Sequence, residues 1–363
     1  MLVRNPRVKK SSKESRPKES IMDSGVECPA CLDNRATELR RFSAEQSARF
    51  FTLREADADL ERRLTSHLRA LWGGDRCSIM VCQNCGFGFS WPYVAGDAAF
   101  YQLAFPNIGY TSDRWEFSRT QRELTRFDIS GMELLEVGAG FGMFLDQLSS
   151  AGFPKSAITA IEHHPTSYAR LQAKGYRASA HDVRSAEFTP ARRFDLVCMF
   201  QVVEHMDRLD QLMGRLDLIC SERAHIFLSV PNAQRTNYFE DHGWKFDMPP
   251  DHIGRWTRAA MEHLVARHGF RIESSDQESF GGLKFVRSDL ASSYFRRVQE
   301  PGTLAHRIAS MRRSQARRWL ELATIVSYAP RRMGQWLRAY RYEGELGAAL
   351  WFHLMRKNRA AEH

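Results

Sequence analysis

The feature that most constrains the fold is a short apolar segment that runs into alternating glycines. Leu134–Val137 is aliphatic apart from the carboxylate of Glu136, a composition that predicts a buried parallel strand. Gly138, Gly140 and Gly142 follow, and an apolar helical pattern comes after them. Glycine permits tight turns and lets a ligand approach the backbone, while the start of a helix offers unpaired N–H groups. The segment therefore predicts a cradle for a nucleotide-type ligand, with a plain packing turn as the alternative.

The bulk composition is that of a globular protein with charged ends. The 363 residues are 43% hydrophobic and 26% charged, enough for two or three domains. No apolar stretch approaches the roughly 20 residues of a membrane helix, and the N-terminus lacks a signal-peptide core. We therefore expect no transmembrane segment and a cytoplasmic protein. The net charge of +9 is concentrated at both ends, and residues 1–24 have the composition of a disordered basic tail.

Four of the seven cysteines form two Cys-x-x-Cys pairs, Cys28/Cys31 and Cys82/Cys85. In a cytoplasmic chain such pairs favour metal over disulfides. Two thiolates on one tight turn can reach a single tetrahedral ion, so two pairs complete a closed, structural zinc site. Fifty residues separate the pairs, which predicts a helical insertion, and Cys77 is an alternative ligand.

A second acidic residue follows the glycine turn at the expected distance. Residues 156–161 predict a strand that ends at Glu162. A carboxylate at that point can accept hydrogen bonds from both hydroxyls of a ribose. A surface glutamate at a strand end is the alternative interpretation.

Gly-x-Gly-x-Gly after an acidic residue resembles motif I of the class I methyltransferases that use S-adenosyl-L-methionine (SAM). Residues 26–286 resemble a group of bacterial methyltransferases with an N-terminal four-cysteine domain, in which a Cys-x-x-Cys-Gly knuckle precedes an aromatic segment and the SAM domain. The resemblance implies a Rossmann-like α/β fold with a seven-stranded, mostly parallel sheet. It also implies that Asp182 meets the adenine amine and that the stretch after strand 194–200 lies beside the methionine part of SAM. The expected SAM-binding residues are Glu136, Gly138, Ala139, Gly140, Gly142, Phe144, Glu162, Asp182, Gln201 and Val202.

The motifs divide the chain into four parts. We expect a tail over residues 1–24, a zinc-binding module over 25–108, the SAM domain over 109–286 and a basic helical extension over 287–363. Within the SAM domain, residues 225–232 predict a fifth strand, and 270–273 with 283–286 predict a closing antiparallel pair.

Two histidines are candidates for the chemistry. Methyl transfer is an in-line displacement that often requires removal of a proton from the acceptor. His205 follows the fourth strand and titrates near working pH, with a helix cap as the alternative role. His252 lies in a segment that resembles the Pro-x-His loop which many of these enzymes place over the acceptor, and Trp244 and Trp256 either line that pocket or belong to the core.

The stretch from Gln201 to His205 also resembles the Glu-x-x-Glu-His metal cluster of some O-methyltransferases. Its first acidic ligand is missing, because Gln201 stands there. Glu204, His205 and His252 could still hold a divalent ion.

The C-terminal extension predicts helices over residues 304–328, 332–342 and 346–355. Their apolar side chains stand among arginines, which suits a membrane surface, a cover for the acceptor site or a packed subdomain.

The sequence as a whole favours methylation of a small-molecule or glycan-type acceptor, most simply at oxygen, with His205 as the base. An RNA methyltransferase that uses its basic ends and zinc module is the first alternative. A non-catalytic SAM-fold scaffold in a biosynthetic complex is the second.

Overall fold

The computed structural model describes most of the chain with side chains. The described residues are 25–52, 57–105, 114–241, 247–279, 281–298, 300–312, 314–339 and 346–357. The predicted tail over residues 1–24 and Trp244 lie outside them.

The N-terminal part builds a small antiparallel sheet with two helices inserted between the cysteine pairs. Its elements are β1 (Ala36–Ser43), α1 (Ala44–Thr52), α2 (Ala58–Trp72), β2 (Arg76–Cys82), β3 (Gly88–Trp91), α3 (Ala98–Ala104) and α4 (Trp115–Leu124). Helix α2 begins where the Asp57 carboxylate accepts from the N–H groups of Asp59 and Leu60, and it ends at Gly73 in the left-handed conformation. The predicted helical insertion is thus α1 and α2.

The central sheet and its helices follow. Their bounds are β4 (Leu134–Val137), α5 (Met143–Ser150), β5 (Ile158–Ile161), α6 (Pro165–Ala173), β6 (Arg177–Ser179), β7 (Phe194–Phe200), α7 (Leu209–Ile219), β8 (Cys220–Pro231), α8 (Ala233–Asp241), β9 (Gly254–Arg255), α9 (Arg258–Arg267), β10 (Phe270–Gln277), α10 (Gly282–Val298), α11 (Leu304–Ala309), α12 (Gln315–Ser327), α13 (Ala329–Ala339) and β11 (Ala349–Arg356). Short 3₁₀ turns occupy Lys155–Ala157 and Val203–His205.

Seven strands form the central sheet in the order β10-β11-β8-β7-β4-β5-β6. Strand β11 is antiparallel to both neighbours, and the other described pairings are parallel. All four residues of β4 are buried, as expected for a strand covered on both faces. The predicted α/β class with a seven-stranded, mostly parallel sheet is confirmed.

Two predictions at the C-terminal edge of this sheet were wrong. Residues 283–286 do not form a strand; they lie inside α10. The strand that fills the position is Ala349–Arg356, within the segment predicted as a helix over 346–355. Most of its residues are buried, and a strand covered on both faces reads as a continuous apolar run that periodicity cannot separate from a buried helix.

The N-terminal sheet and the central sheet share one hydrophobic core. Strand β3 pairs with β9, which lies between α8 and α9 of the larger domain. Phe87 and Phe89 of the small sheet belong to the same buried cluster as Val137 and Val197 of the large one. The two parts are therefore packed as one body across the predicted boundary at residue 108.

Candidate active site

The glycine turn at the carboxyl end of β4 requires glycine at two of its positions. Gly138 has φ of 72° and donates its N–H to the carbonyl of Ile161 at 2.9 Å. A Cβ on Gly138 would lie 2.6 Å from Cγ2 of Val202. A Cβ on Gly142, with φ of 73°, would lie 2.8 Å from Cδ2 of Leu171. At Gly138 the turn therefore lies directly against the stretch that follows β7, and at Gly142 it lies against α6. A side chain at either position would collide with these neighbours and change the shape of the turn.

The two acidic residues of the predicted SAM site are both buried. Glu136 is 3% exposed and its Oε2 has no partner among the described residues. Burial raises the pKa of Glu136 well above its ordinary value. Glu162 uses one oxygen to accept from the N–H of Gly140 at 2.7 Å and the other to accept from the N–H of His164 at 2.8 Å. Glu162 thus joins the end of β5 to the glycine turn. Glu136, in the strand that leads into this turn, keeps a carboxyl oxygen without a partner among the described residues.

The remaining predicted cofactor residues occupy different settings. Asp182 is bound in a bidentate pair by Arg184, with a shortest N–O distance of 2.6 Å, and Arg184 also pairs with Asp207. Phe144 is fully buried and lies with Phe200 in an aromatic cluster, at 4.9 Å between ring centroids. Only the backbone of Phe144 is therefore placed to meet a cofactor, and its side chain belongs to the core.

Gln201 begins the stretch after β7 in a left-handed conformation, with φ of 57°. Its N–H donates to the carbonyl of Ser229 at 2.9 Å and its side-chain amide donates to the Ser229 hydroxyl at 3.3 Å. This turn directs Val202 over Gly138 and carries the chain on to His205.

His205 is held by three groups around its Nδ1 atom. Nδ1 lies 2.8 Å from the backbone carbonyl of Asp251, 3.2 Å from the Asp251 carboxylate and 3.2 Å from the hydroxyl of Tyr101. Burial acts to lower the pKa of His205, but the Asp251 carboxylate outweighs it, so the pKa lies above the ordinary value. A proton on Nδ1 donated to Asp251 leaves Nε2 as the basic nitrogen.

His252 lies beside His205, with 4.6 Å between the ring centroids. Its Nδ1 is 2.7 Å from the carboxylate of Asp247. Burial acts against its protonation, but the Asp247 carboxylate prevails and raises the pKa of His252 to about 10. In this ion pair His252 is protonated at neutral pH and suits binding or electrostatic stabilisation better than proton removal.

Glu204 completes the cluster from below. Its side chain is fully buried, neither carboxylate oxygen has a hydrogen-bond partner among the described residues, and Oε1 lies 4.0 Å from Nε2 of His205. One ligand atom from each of Glu204, His205 and His252 lies within 4.8 Å of the others. The set fits a small cation as well as a base with a buried acceptor beneath it.

The four cysteines of the two pairs meet in one place. Their sulfurs all lie within 4.8 Å of one another, with 3.7 Å between Cys28 and Cys85 and 3.5 Å between Cys31 and Cys82. Two sulfurs on one tetrahedral zinc ion are about 3.8 Å apart, given Zn–S bonds near 2.3 Å. Cys77 lies outside the cluster, buried elsewhere in the module.

The cysteine cluster is connected to the histidine site through the backbone. The Thr257 hydroxyl donates to the carbonyl of Cys85 at 2.7 Å. The N–H of Ser90 donates to the carbonyl of Ile253, and the N–H of Ile253 donates to the carbonyl of Glu204, both at 2.9 Å. The segment that carries His252 is thus bonded to the small sheet on one side and to the end of β7 on the other.

Sequence reasoning missed the partners of both histidines. Tyr101 comes from the N-terminal module, 104 residues away from His205, and no spacing rule relates the two. Asp251 stands next to His252 in the chain, yet its carboxylate is paired with His205. Trp256, a predicted pocket residue or core aromatic, is fully buried against Phe87. It belongs to the core.

Comparisons with known proteins find a methyltransferase domain in this chain. A family described as "Methyltransferase domain" matches residues 112–275. A ubiquinone biosynthesis O-methyltransferase of Rickettsia canadensis is 29% identical over 112 residues, which are 31% of this chain and 48% of that protein. An uncharacterized protein of Mycobacterium tuberculosis is 26% identical over 151 residues, 39% of this chain and 48% of that protein. The chain spans about half the length of these curated relatives.

Solved structures of SAM-dependent methyltransferases are also similar in part. One from Thiobacillus denitrificans, in complex with S-adenosyl-L-homocysteine, covers 73% of this chain and all of its own, with 12% identity and a TM-score of 0.42. A putative sarcosine dimethylglycine methyltransferase from Galdieria sulphuraria covers 67% of this chain and 85% of its own, also with 12% identity and a TM-score of 0.42.

Proposed function

Since the chain contains a class I, SAM-dependent methyltransferase domain, we propose that the protein methylates a hydroxyl group of a small-molecule or glycan-type acceptor. The observation that carries the proposal is the contact between the glycine turn after β4 and the stretch that follows β7. Val202 lies over Gly138 of the predicted cofactor turn, and three residues later His205 presents an imidazole oriented by Asp251. A base is thus next to the place where the methyl donor would lie.

SAM supplies an electrophilic methyl group when it is bound. On this proposal Glu136, Glu162 and the turn from Gly138 to Gly142 hold it, because they combine an orphaned buried acceptor with a backbone that only glycine can form. Asp182, Gln201 and Val202 stay predicted contacts.

His205 would then remove the acceptor proton as the methyl group is transferred. Its Nδ1–H donates to Asp251, so Nε2 is the atom that accepts the proton. The raised pKa of His205 makes Nε2 a stronger base than an isolated histidine. Protonated His252 beside it would stabilise the developing negative charge on the acceptor oxygen.

The experiment combines cofactor binding with turnover. Calorimetry on the purified chain should show SAM binding, and release of S-adenosylhomocysteine should be measured against a panel of phenols and sugars. His205→Ala should lower turnover by about 10²–10⁴-fold, the usual contribution of a general base, with SAM affinity unchanged. His263→Ala, at an exposed position of α9, is the control and should leave both unchanged.

Two outcomes would contradict the proposal. Absence of SAM binding by the wild-type chain would remove the methyltransferase activity itself and favour the non-catalytic scaffold. Full turnover in the His205→Ala variant would remove the base assignment while leaving the reaction in place.

A second candidate mechanism is favoured by the buried carboxylate of Glu204. On this mechanism a divalent cation would displace the Nε2 proton of His252 and be held by Glu204, His205 and His252. The cation would orient the acceptor hydroxyl and lower its pKa. Prolonged dialysis against EDTA distinguishes the mechanisms: turnover that is lost and returns with Mg²⁺ or Mn²⁺ favours the cation, and turnover that persists favours the base alone.

For the cysteine cluster we propose a structural zinc ion. The support is the donor set itself, four sulfurs at tetrahedral spacing with no fifth group among them in the described part of the chain. Elemental analysis of the purified protein should find zinc bound, and mutation of any of the four cysteines should lower its content.

RNA methylation, the alternative suggested by the basic ends, rests on charge alone. It predicts RNA binding with a steep salt dependence that is lost when both ends are trimmed, and flat or absent RNA binding would exclude it.

A further inference from the structure

Helix α12 exposes large apolar side chains in addition to the one, Ile325, through which it packs on the body of the protein. Its exposed side chains include Trp319 at 71%, Val326 at 62% and Leu322 at 46% of their full accessibility. The less exposed side carries Ile325, which packs against the buried cluster around Tyr294, and an ion pair, Arg317 with Glu321 at 2.8 Å. A helix that is already packed on the core and still exposes tryptophan and aliphatic side chains presents a second surface, suited to an apolar environment.

The exposed apolar residues of α12 form one face. Trp319, Leu322 and Val326 are spaced by three and four residues, so they lie within about 60° of one another around the helix axis. Leu320 is also exposed, at 44%, and widens the face on the side of Trp319. The apolar surface therefore extends along most of the helix.

Helix α13 repeats the arrangement. Met333 and Leu337, one turn apart, are 57% and 69% exposed. On the protein side, Arg332 and the indole N–H of Trp336 bind the carboxylate of Asp289 in α10. Polar groups thus anchor α13 to the body of the protein, and its aliphatic side chains point outward.

The charge around these helices is strongly positive. Residues 310–339 contain seven arginines and one acidic residue, Glu321, which is bound to Arg317. Arg312, Arg318 and Arg331 are exposed, and each stands within two positions in the chain of an exposed apolar residue, Met311, Trp319 and Met333 respectively. A tryptophan-containing apolar face with a basic rim has the composition of a helix that lies in a membrane interface next to anionic lipid.

We propose that α12 and α13 dock the protein on the surface of a membrane that contains anionic phospholipid. The apolar face would enter the boundary between headgroups and acyl chains, and the exposed arginines would bind the lipid phosphates. Charge complementarity selects anionic over neutral lipid. Trp319 is one aromatic side chain among aliphatic ones, Leu320, Leu322 and Val326. A mostly aliphatic face suits acyl chains better than RNA, whose bases stack on aromatic side chains. Among the described residues no helix is long and apolar enough to cross a bilayer, so the contact would be peripheral.

Sedimentation of the full chain with vesicles tests the proposal. Wild-type protein should bind vesicles of 70% phosphatidylcholine and 30% phosphatidylglycerol and bind pure phosphatidylcholine much more weakly. Trp319→Glu/Leu322→Glu should lower the partition coefficient at least ~10-fold, because two large apolar side chains no longer enter the interface. Arg318→Gln/Arg331→Gln should lower it by roughly fivefold per arginine, only on the anionic vesicles.

A control variant separates the apolar contact from the added charge. Ser66→Glu/Ala70→Glu places two new carboxylates one turn apart at exposed positions of α2 and should bind vesicles like the wild type. Thermal melting and SAM calorimetry on every variant check that the fold is retained.

The proposal fails if wild-type protein does not bind anionic vesicles, or if Trp319→Glu/Leu322→Glu binds them as tightly as wild type does. It also fails if wild-type protein binds RNA or self-associates but does not bind vesicles, and Trp319→Glu/Leu322→Glu loses that RNA binding or self-association. The face would then belong to another partner. None of these results depends on methyl transfer.

Discussion

The cofactor half and the acceptor half of the candidate site are built in different ways. The proposed cofactor half consists of the glycine turn after β4 and the end of β5. The N–H of Gly138 donates to the carbonyl of Ile161, and the N–H of Gly140 donates to the carboxylate of Glu162. These pieces are neighbours in both the sheet and the chain. Backbone conformation, a backbone hydrogen bond and the Glu162 carboxylate hold them together.

The acceptor half is assembled from three remote segments. His205 follows β7, Asp251 and His252 precede β9, and Tyr101 comes from α3 of the N-terminal module. Side-chain contacts and the β3–β9 pairing hold these segments in place. The comparison implies that the acceptor half depends on the cysteine module more strongly than the cofactor half does.

Loss of the proposed zinc ion should separate the two halves most strongly. Cys85→Ser frees the knuckle to which Thr257 is bonded, so backbone amides of residues 252–257 should exchange with deuterium about 100-fold faster. SAM affinity should stay within about threefold of wild type, since the glycine turn keeps its own hydrogen bonds to Ile161 and Glu162. Hydrogen exchange with mass spectrometry and calorimetry measure the two effects.

Cys77→Ser is the matched control, because Cys77 is a buried cysteine of the same module outside the sulfur cluster. It should keep the metal and the slow exchange. An equal loss of SAM binding in Cys85→Ser would show that the halves are not separable.

Gly138→Ala should have the next largest effect and act on the cofactor half. The new Cβ would meet Val202 at 2.6 Å in a backbone conformation with φ of 72°, so the turn must change shape. We expect SAM affinity to fall by about 100-fold, from left-handed strain of 1–2 kcal/mol together with the clash. Calorimetry with SAM measures it.

Gly131→Ala is the control for strain alone, since Gly131 has φ of 74° and open space around its Cβ position. It should cost stability and leave SAM affinity unchanged. Equal SAM affinity in the Gly138 and Gly131 variants would place the cofactor elsewhere.

Tyr101→Phe should have the smallest effect and act on the acceptor half. It removes the hydroxyl 3.2 Å from Nδ1 of His205, and the loss of one hydrogen bond worth ~1 kcal/mol predicts a fall in kcat of about fivefold. SAM affinity should not change. The assay is release of S-adenosylhomocysteine with the best acceptor of the panel.

Tyr168→Phe is the matched control, because its hydroxyl only accepts from Gln172 on the surface of α6. Turnover in that variant should equal wild type. A Tyr101→Phe variant with unchanged kcat would show that Asp251 alone orients His205.

Strand limits were predicted best where buried apolar runs end in a turn. β4 at residues 134–137 and β7 at 194–200 have the expected bounds, because a parallel strand covered on both faces is apolar throughout and stops at its turn. The same apolar character misled at residues 346–355, which complete the sheet as β11. A short apolar run does not by itself distinguish a buried strand from a buried helix.

Side-chain roles could likewise be predicted from local sequence but not where they depend on distant contacts. Residues required by backbone geometry, such as Gly138, were identified from the chain alone. Phe144 was identified by its place in the motif, yet its side chain is core. Asp251 and Tyr101 were not predicted, since no local sequence pattern indicates which histidine a carboxylate or a phenol will contact.

The amino-acid sequence by itself determined the glycine turn, the acidic residues that flank it and the two cysteine pairs, because each depends on residues a few positions apart. Only the tertiary structure decided which groups surround His205 and that a C-terminal strand, Ala349–Arg356, closes the sheet. It also revealed that α12 exposes Trp319, Leu322 and Val326. These features depend on contacts between distant segments, where burial and pairing are settled by the whole fold and local propensity is overridden.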